Sequence, residues 1–549
     1  MKRKIIAALI VCTMMLTTIF TASAAEIDFS GVGAYTDAAI VAADYEVVGS
    51  TLEPEEPLPS AYSSVDLGYT TPVRRQKYNT CWAYSSTADL ESLSLVNLMR
   101  SHHRSTMHMN YWGTIREDGT GWNRSYADAG FPYISMGYLT SFGCLTDAKF
   151  NDNKTMEDYN AENDSLYPYQ IVNSLIFLKA DDRDTVKTAV KKYGGAIGNF
   201  HYSSTYSNNG DTSYCCDKEG LTTSQLAGHA IEIVGWDDNY SVSNFNSEHQ
   251  PENPGAWLCK NSWGTTSGNN GFIWISYEDK YLFDYRFGPS YAITGASQMN
   301  ANMKMQQVET YGYTYEFDYV KQLRPRQSKI TYANVLDFSD GYHNIDKVIF
   351  ESTAKGADYT VYYIPLDDND VPVTDTDRWS LLAQGTIRDE GYTCAEIYGF
   401  NAPQKKGSIA VQIKESGDSG IGIGVDEWLS TGGRYLFKPD TKRGDSYLIG
   451  YTAQPMDVMD FYYNKVQGDE IGGAFVIKAL CRSDDVAGDV DGDGDFSALD
   501  VTVAQRMHAG ITQLDDKQMR FADFDNDGES EITDCTMMLR DLAGIPYKV

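Results

Sequence analysis

The chain has 549 residues, with 76 Asp and Glu against 45 Lys and Arg and a formal net charge of −31. Such an acidic surface repels nucleic acid and anionic membranes, and the length exceeds what one hydrophobic core organises, so several domains and no nucleic-acid partner are expected. Nine cysteines are scattered without a dense framework, which excludes a disulfide-stapled fold; a bridge from Cys144 to Cys215 or Cys216 stays open.

Residues 1–25 carry Lys2, Arg3 and Lys4, an apolar run from Ile5 to Phe20 interrupted by Thr13, Thr17 and Thr18, and the small residues Ala22-Ser23-Ala24-Ala25. This is the pattern of a secretory signal peptide, and the run is short of the roughly 20 residues a membrane span requires. A secreted, extracellular protein with no membrane span in its mature form is expected. Residues 26–57 are acidic, contain Pro54 and Pro57 and lack hydrophobic periodicity, as in a linker or short pro-segment.

From residue 58 to 297 the pattern is that of an α+β domain. A helix is predicted after Cys81 (Tyr84, Leu90, Leu93, Leu95, Leu98) and another from Asp184 to Lys192, with strands around His229 and Trp257. Residues 303–480 change to short alternating runs, such as Tyr359 to Tyr363 and Ser408 to Ile413, separated by turn residues, which predicts an all-β sandwich. In the last 66 residues sixteen carboxylates face five Lys and Arg, and residues 489–511 recur without gaps at 523–545, which predicts a small α-helical module, residues 484–549, with paired EF-hand-like loops. The fold is therefore expected to be multidomain.

Three separated segments carry groups for nucleophilic catalysis. The first is Gln76-Lys77-Tyr78-Asn79-Thr80-Cys81-Trp82-Ala83. A thiol attacks an amide only as thiolate, and the first turn of a helix lowers a thiol pKa through the macrodipole and unpaired N–H groups. Cys81 stands where that helix begins. His229, in Ala227-Gly228-His229-Ala230-Ile231, opens a buried-strand pattern and is the candidate base and acid. Asn261, in Lys260-Asn261-Ser262-Trp263-Gly264, is placed to orient the imidazole, with Trp263 as a shield.

These segments, in the order Cys, His, Asn, resemble the papain family of cysteine peptidases in its bacterial exported branch, across residues 58–297. Supporting matches are Gly130-Phe131-Pro132, Tyr167-Pro168-Tyr169 and Gly271-Phe272. The resemblance implies an endopeptidase that needs no catalytic cofactor and acts on a protein or peptide substrate. It also implies an oxyanion role for Gln76 beside the Cys81 N–H. Gln76 lies one residue nearer the nucleophile than the family spacing, however, and Lys77 stands where the family has glycine. The resemblance further sets Ala227 at the second subsite and Ala129-Gly130 against substrate backbone.

The first repeat loop offers Asp489, Asp491, Asp493, Asp495, Ser497 and Asp500, and the second Asp523, Asp525, Asp527, Glu529, Glu531 and Asp534, with Gly494 and Gly528 at the sixth loop position. Oxygen ligands at that spacing suit calcium, two ions in all. Aspartate at position 12 and the closing Ala-Gly-Ile of each copy resemble a cellulosomal dockerin, which implies a cohesin module of a scaffoldin or cell-surface protein as partner and cellulosome association. Residues 303–480 resemble the lectin-like β-domain of exported bacterial peptidases, and no binding residue is assigned there. The competing expectation is a catalytically weak papain-fold binding or protective component of the cellulosome.

Overall fold

The computed structural model describes residues 50–545, apart from residue 100 and residues 117–118, 163–165, 180–181, 222–224, 284–288, 309–313, 317–328, 415–421, 427–428, 432–433, 451–452, 461–463, 467–468 and 472. The expected signal peptide and residues 26–49 of the expected linker lie outside the described residues. No helix among those described is long and apolar enough to cross a membrane.

The first region divides into a helical side and a sheet side. The predicted helix runs Cys81–Leu98, and it is buried on every face from Cys81 to Ser94. Buried serines and threonines tolerate this position because they bond back to carbonyls one turn earlier, as Ser86 does to Trp82 at 2.6 Å and Thr87 to Ala83 at 2.9 Å. Helices Thr106–Trp112 and Pro132–Ser141 pack beside it. The second predicted helix spans Arg183–Tyr193, capped by the Asp182 carboxylate on the Thr185 N–H at 3.0 Å.

On the sheet side the strand Ala227–Asp237 is central. It pairs antiparallel with Ala196–Tyr202, so that Phe200 faces His229, and with Ala256–Lys260, so that Glu232 faces Lys260. The ladder shifts between Ile233 and Gly235.

The described strands from Met303–Gln306 to Ile477–Arg482 form the expected β-rich region, with one core between two layers that includes Tyr332, Phe350, Tyr363, Val411 and Phe475. One layer has the strand order Ser380–Thr386, Asp358–Ile364, Lys406–Lys414, Lys329–Asp337, Ser446–Ile449 and Met456–Asp457. The other layer is continuous with the sheet of the first region. Strand Gly391–Asn401 pairs with Gln170–Phe177 through Gly391↔Ile176 and Tyr392↔Leu175. The core follows the sheet: the cluster containing Cys81 and Trp82 extends to Ile349, Tyr392, Phe437 and Leu480. Strand Ile477–Arg482 adds a polar tie, because the buried Lys478 ammonium donates to Thr140 Oγ at 3.0 Å and Ser141 Oγ at 2.6 Å.

The C-terminal repeat folds as two acidic loops, each followed by a helix, Ala498–His508 and Ile532–Leu542, which pack together over Val490, Val501, Ala504, Phe521 and Met538. A short helix that repetition did not predict, Asp516–Ala522, precedes the second loop.

No disulfide joins the eight cysteines from Cys81 to Cys535, so neither bridge left open for Cys144 forms.

The join between the sheets rests on Gly391, whose φ is +129° and whose missing Cβ would strike the Leu175 carbonyl. A Gly391→Val chain is expected to lose about 1–3 kcal/mol in denaturant unfolding. Its amide exchange should quicken at 175–177 and 391–393 first, and unchanged protection there would refute the role assigned to the join.

Candidate active site and acidic loops

Cys81 is the first residue of its helix, after Thr80, whose hydroxyl is bonded to the Lys77 carbonyl. The thiol is therefore at the positive end of the helix, where the first backbone N–H groups have no partner within the helix. His229 leads its strand from the opposite side, and Asn261 follows the end of the neighbouring strand. His229 Nε2 and Asn261 Oδ1 are 2.9 Å apart. The Trp263 indole stacks on the imidazole with centroids 4.7 Å apart and 26° between planes.

Asn261 Oδ1 also accepts from the Ser262 N–H at 2.7 Å, which fixes the amide and leaves its carbonyl facing the ring. His229 Nδ1 is buried and makes no hydrogen bond. Burial pushes the His229 pKa down to about 4, and the bond to Asn261 opposes this only in part. Cys81 and His229 are both 0 % exposed.

The loop before Cys81 closes on a non-glycine residue. Lys77 occupies the position where glycine was expected, and Tyr78 takes the left-handed conformation with φ +61°. Gln76 is held on both ends of its amide: Oε1 accepts from Ser262 Oγ at 2.6 Å, and Nε2 donates to the Tyr78 carbonyl at 3.1 Å. Lys77 Nζ donates to the Asp152 carbonyl at 2.9 Å, tying the loop to the segment after Cys144. Gly130, expected against substrate, lies on Trp82, whose indole a Cβ there would overlap. Ala227 is half-buried opposite Tyr202.

Beneath the site lies a chain of buried charge that the motifs did not reveal. Arg74 Nη2 donates to Glu91 Oε1 at 3.1 Å, Thr71 Oγ bonds the other Glu91 oxygen, and Lys260 Nζ donates to Thr71 Oγ at 3.0 Å while standing 3.5 Å from Glu232 Oε2. Burial raises the Glu91 pKa, but Arg74, His103 and Lys260 together hold it well below the usual carboxylate range. Burial, and then Glu232, push Asp89 well above it. The only signal in sequence was charge inside otherwise apolar segments.

In the first acidic loop Asp489, Asp491 and Asp500 bring carboxylate oxygens within 4.8 Å of one another, and in the second Asp523, Asp525 and Asp534 do so. Backbone N–H groups aim these oxygens inward. Asp489 accepts from Gly492 at 2.7 Å and Gly494 at 2.9 Å, and Asp500 from Asp491 at 3.0 Å and Ser497 at 2.8 Å. In the second loop Asp523 accepts from Gly528 at 3.0 Å, and Asp534 from Phe524 at 2.8 Å and Glu531 at 2.7 Å. Asp493 and Asp527 accept from the N–H two residues on, and Ser497 and Glu531 cap the following helices. Asp495 and Glu529, at the seventh loop position, are exposed or half-buried. Burial, then the neighbouring carboxylates, push Asp523 up to about 6 and Asp534 up to about 7. All-oxygen groups that repel one another in this way fit a hard dication.

Residues 58–292 match the family described as papain family cysteine protease, 307–471 the lectin-like domain and 487–543 the dockerin type I domain. Among curated proteins, Cathepsin L2 of Homo sapiens is 25 % identical over 236 residues, covering 40 % of this chain and 61 % of the relative. Probable cysteine protease RD19B of Arabidopsis thaliana is 24 % identical over 230 residues, covering 40 % and 59 %. The chain thus spans about three fifths of the length of these curated relatives. Among solved structures, the clostridial cysteine protease Cwp84 after propeptide cleavage is 31 % identical with a TM-score of 0.67, covering 77 % of this chain and 100 % of that one. The cysteine protease and lectin-like domains of Cwp84, a surface layer associated protein of Clostridium difficile, give 30 % identity and 0.67, covering 79 % and 90 %.

The buried imidazole has a consequence for pH. Its folded pKa, about 4, lies below the unfolded value of 6.5, so between those limits the unfolded chain binds the extra proton and stability falls as pH drops. A Cys81→Ala chain at fixed calcium is expected to lose up to about 3 kcal/mol from this source between pH 6.5 and 4. Adding His229→Gln should flatten that slope; an equally steep fall in the double variant would contradict the assignment.

Proposed function

Since the chain belongs to the papain family of cysteine proteases, we propose that it is a secreted endopeptidase hydrolysing peptide bonds through Cys81, His229 and Asn261, tethered by its calcium-binding dockerin to a cohesin module. The observation that carries this reading is the placement of a thiol at a helix N-terminus across from an imidazole whose Nε2 is held by Asn261 Oδ1 at 2.9 Å. With Nε2 engaged, Nδ1 is the ring nitrogen left to serve Sγ.

The Cys81 thiolate attacks the carbonyl carbon, and the C=O electron pair moves onto oxygen. The Cys81 N–H and Gln76 Nε2 receive that oxyanion; Nε2 carries two hydrogens, and the Tyr78 carbonyl takes one. Collapse breaks the C–N bond, and His229 gives its proton to the departing amine, leaving an acyl thioester on Cys81. Water, losing a proton to His229, then attacks that carbonyl, and the acid leaves as the thiolate returns. Trp263 over the imidazole keeps water from the His229–Asn261 bond.

Two calcium ions are assigned to the acidic loops: Asp489, Asp491, Asp493, Asp495, Ser497 and Asp500 for one, and Asp523, Asp525, Asp527, Glu529, Glu531 and Asp534 for the other. Calcium neutralises carboxylates that otherwise repel, so it supplies folding energy to the module that meets cohesin. Attachment to a scaffoldin or cell surface places proteolysis outside the cell.

One observation favours a second reading, that of a catalytically weak binding or protective component. Cys81 and His229 are both without exposed surface, so a substrate carbonyl reaches Sγ only after groups packed around the pair move. Active-site titration separates the two, since a component without turnover gives no stoichiometric thiol labelling.

Cys81→Ala is expected to abolish casein hydrolysis and labelling by a thiol-directed epoxide while calcium-dependent cohesin binding persists. Undiminished hydrolysis would sink the peptidase reading. Gln76→Ala should lower kcat about 100-fold with KM nearly constant; a kcat within twofold of the parent would remove Gln76 from the oxyanion site.

A further inference from the structure

The two acidic loops carry the same ligand pattern in different surroundings. In the first, Asp493 and Asp495 are exposed. The second is seated on the peptidase domain. Asn526, at its fourth position, donates Nδ2 to the Pro168 carbonyl at 2.6 Å and the Met299 carbonyl at 2.9 Å. Thr146 Oγ bonds the Asp527 carbonyl, and Gln298 Nε2 bonds that of Asp525. The Arg520 guanidinium lies 4.1 Å over the Tyr167 ring.

At the centre of this contact is a cation from the other domain. Lys149 Nζ donates to Asn526 Oδ1 at 2.8 Å and stands 3.6 Å from Oδ2 of Asp523, the first residue of the loop. Both side chains of that ion pair are nearly enclosed, 12 % and 9 % exposed. The Lys149 stem also fills the space beside Gly528, where a Cβ would overlap it. His102 Nδ1 lies 3.8 Å from Asp527 Oδ2 at the edge of the same contact.

We propose that Lys149 makes the peptidase domain a competitor of the divalent cation at the second loop, so that calcium there and the seating of the dockerin on the peptidase weaken each other. This rests on the calcium reading of residues 523–534. An ammonium paired with Asp523 offsets the charge that a dication needs, and a dication held by Asp523 repels the ammonium within a few ångströms, in a partly buried place where screening is weak. Coupling of this kind is reciprocal: the factor by which the contact lowers calcium affinity is the factor by which calcium loosens the contact. The first loop, against which no lysine among the described residues is paired, is the internal control.

The full chain carrying Asp489→Ala, which disables the first loop, is titrated with calcium by calorimetry. Lys149→Met, which keeps the apolar stem, is expected to tighten the remaining site about tenfold or more, and Lys149→Arg to leave it near the parent affinity. In the parent chain calcium should quicken amide exchange at 146–149 and 298–300. Calcium binding that Lys149→Met leaves unchanged, or exchange at those residues that calcium does not alter, overturns the inference and spares the calcium reading. An Asp489→Ala chain that binds no calcium, beside a parent that binds one ion, overturns the reading of the second loop and this inference together.

Discussion

The site depends on a buried ionic chain joining its two sides. Glu91 is on the helix that begins at Cys81; Lys260 is adjacent to Asn261; Glu232 is on the strand Ala227–Asp237 that carries His229. Through Thr71, Lys260 connects the first of these to the others, and Arg74, at the base of the loop carrying Gln76, caps Glu91. Burying such charge is costly, and an apolar replacement of equal volume would often be as stable. What the chain supplies is a set of polar ties between helix and sheet, since Glu91 on the one and Lys260 and Glu232 on the other are joined through Thr71.

A second constraint acts on the peptidase from outside its own region. The sheet bearing His229 continues through Gln170–Phe177 into Gly391–Asn401, and the core behind Trp82 continues to Phe437 and Leu480. The Arg434–Lys438 strand also pairs with Gly121–Trp122, and the Trp122 and Phe437 rings lie 5.0 Å apart. The β-sandwich is thus part of the wall that supports the helical side. It is not a module hung on a flexible joint, and the clostridial relatives share this peptidase-plus-lectin-like layout.

Much of this was legible in sequence, for identifiable reasons. Cys81, His229 and Asn261 were readable because each sits in a local motif at the start or end of an element, where chain chemistry announces itself. The acidic loops were readable because ligand spacing is a one-dimensional code. The Cys81–Leu98 helix was readable by composition but not by amphipathic period: it is buried all round, so Ser85, Ser86, Ser92 and Glu91 face protein as fully as Leu90 does. The pairings Glu91–Thr71–Lys260, Gly391–Ile176 and Lys149–Asp523 join residues far apart in the chain, and no local pattern marks them. The closing of the Gln76 loop fell between these cases. The lost glycine was visible, whereas the transfer of the left-handed turn to Tyr78 was not.

That transfer bears on how the loop before Cys81 is held. A bulky residue held at positive φ costs on the order of 1–3 kcal/mol and persists only where neighbours over-determine it. Here Lys77 is tied to Asp152, Gln76 to Ser262, and Asn79 Nδ2 to the Ala127 carbonyl at 3.3 Å. Asp152 accepts from Tyr84 at 3.0 Å on the Cys81–Leu98 helix, and its segment begins at Thr146 and Lys149, against the second acidic loop. The tie that holds the Gln76 loop and the seat of the second acidic loop are therefore on one short stretch, residues 146–152. The Gln76 loop is thus bonded to a segment whose other end is bonded to the second acidic loop, so the two regions share one short piece of backbone.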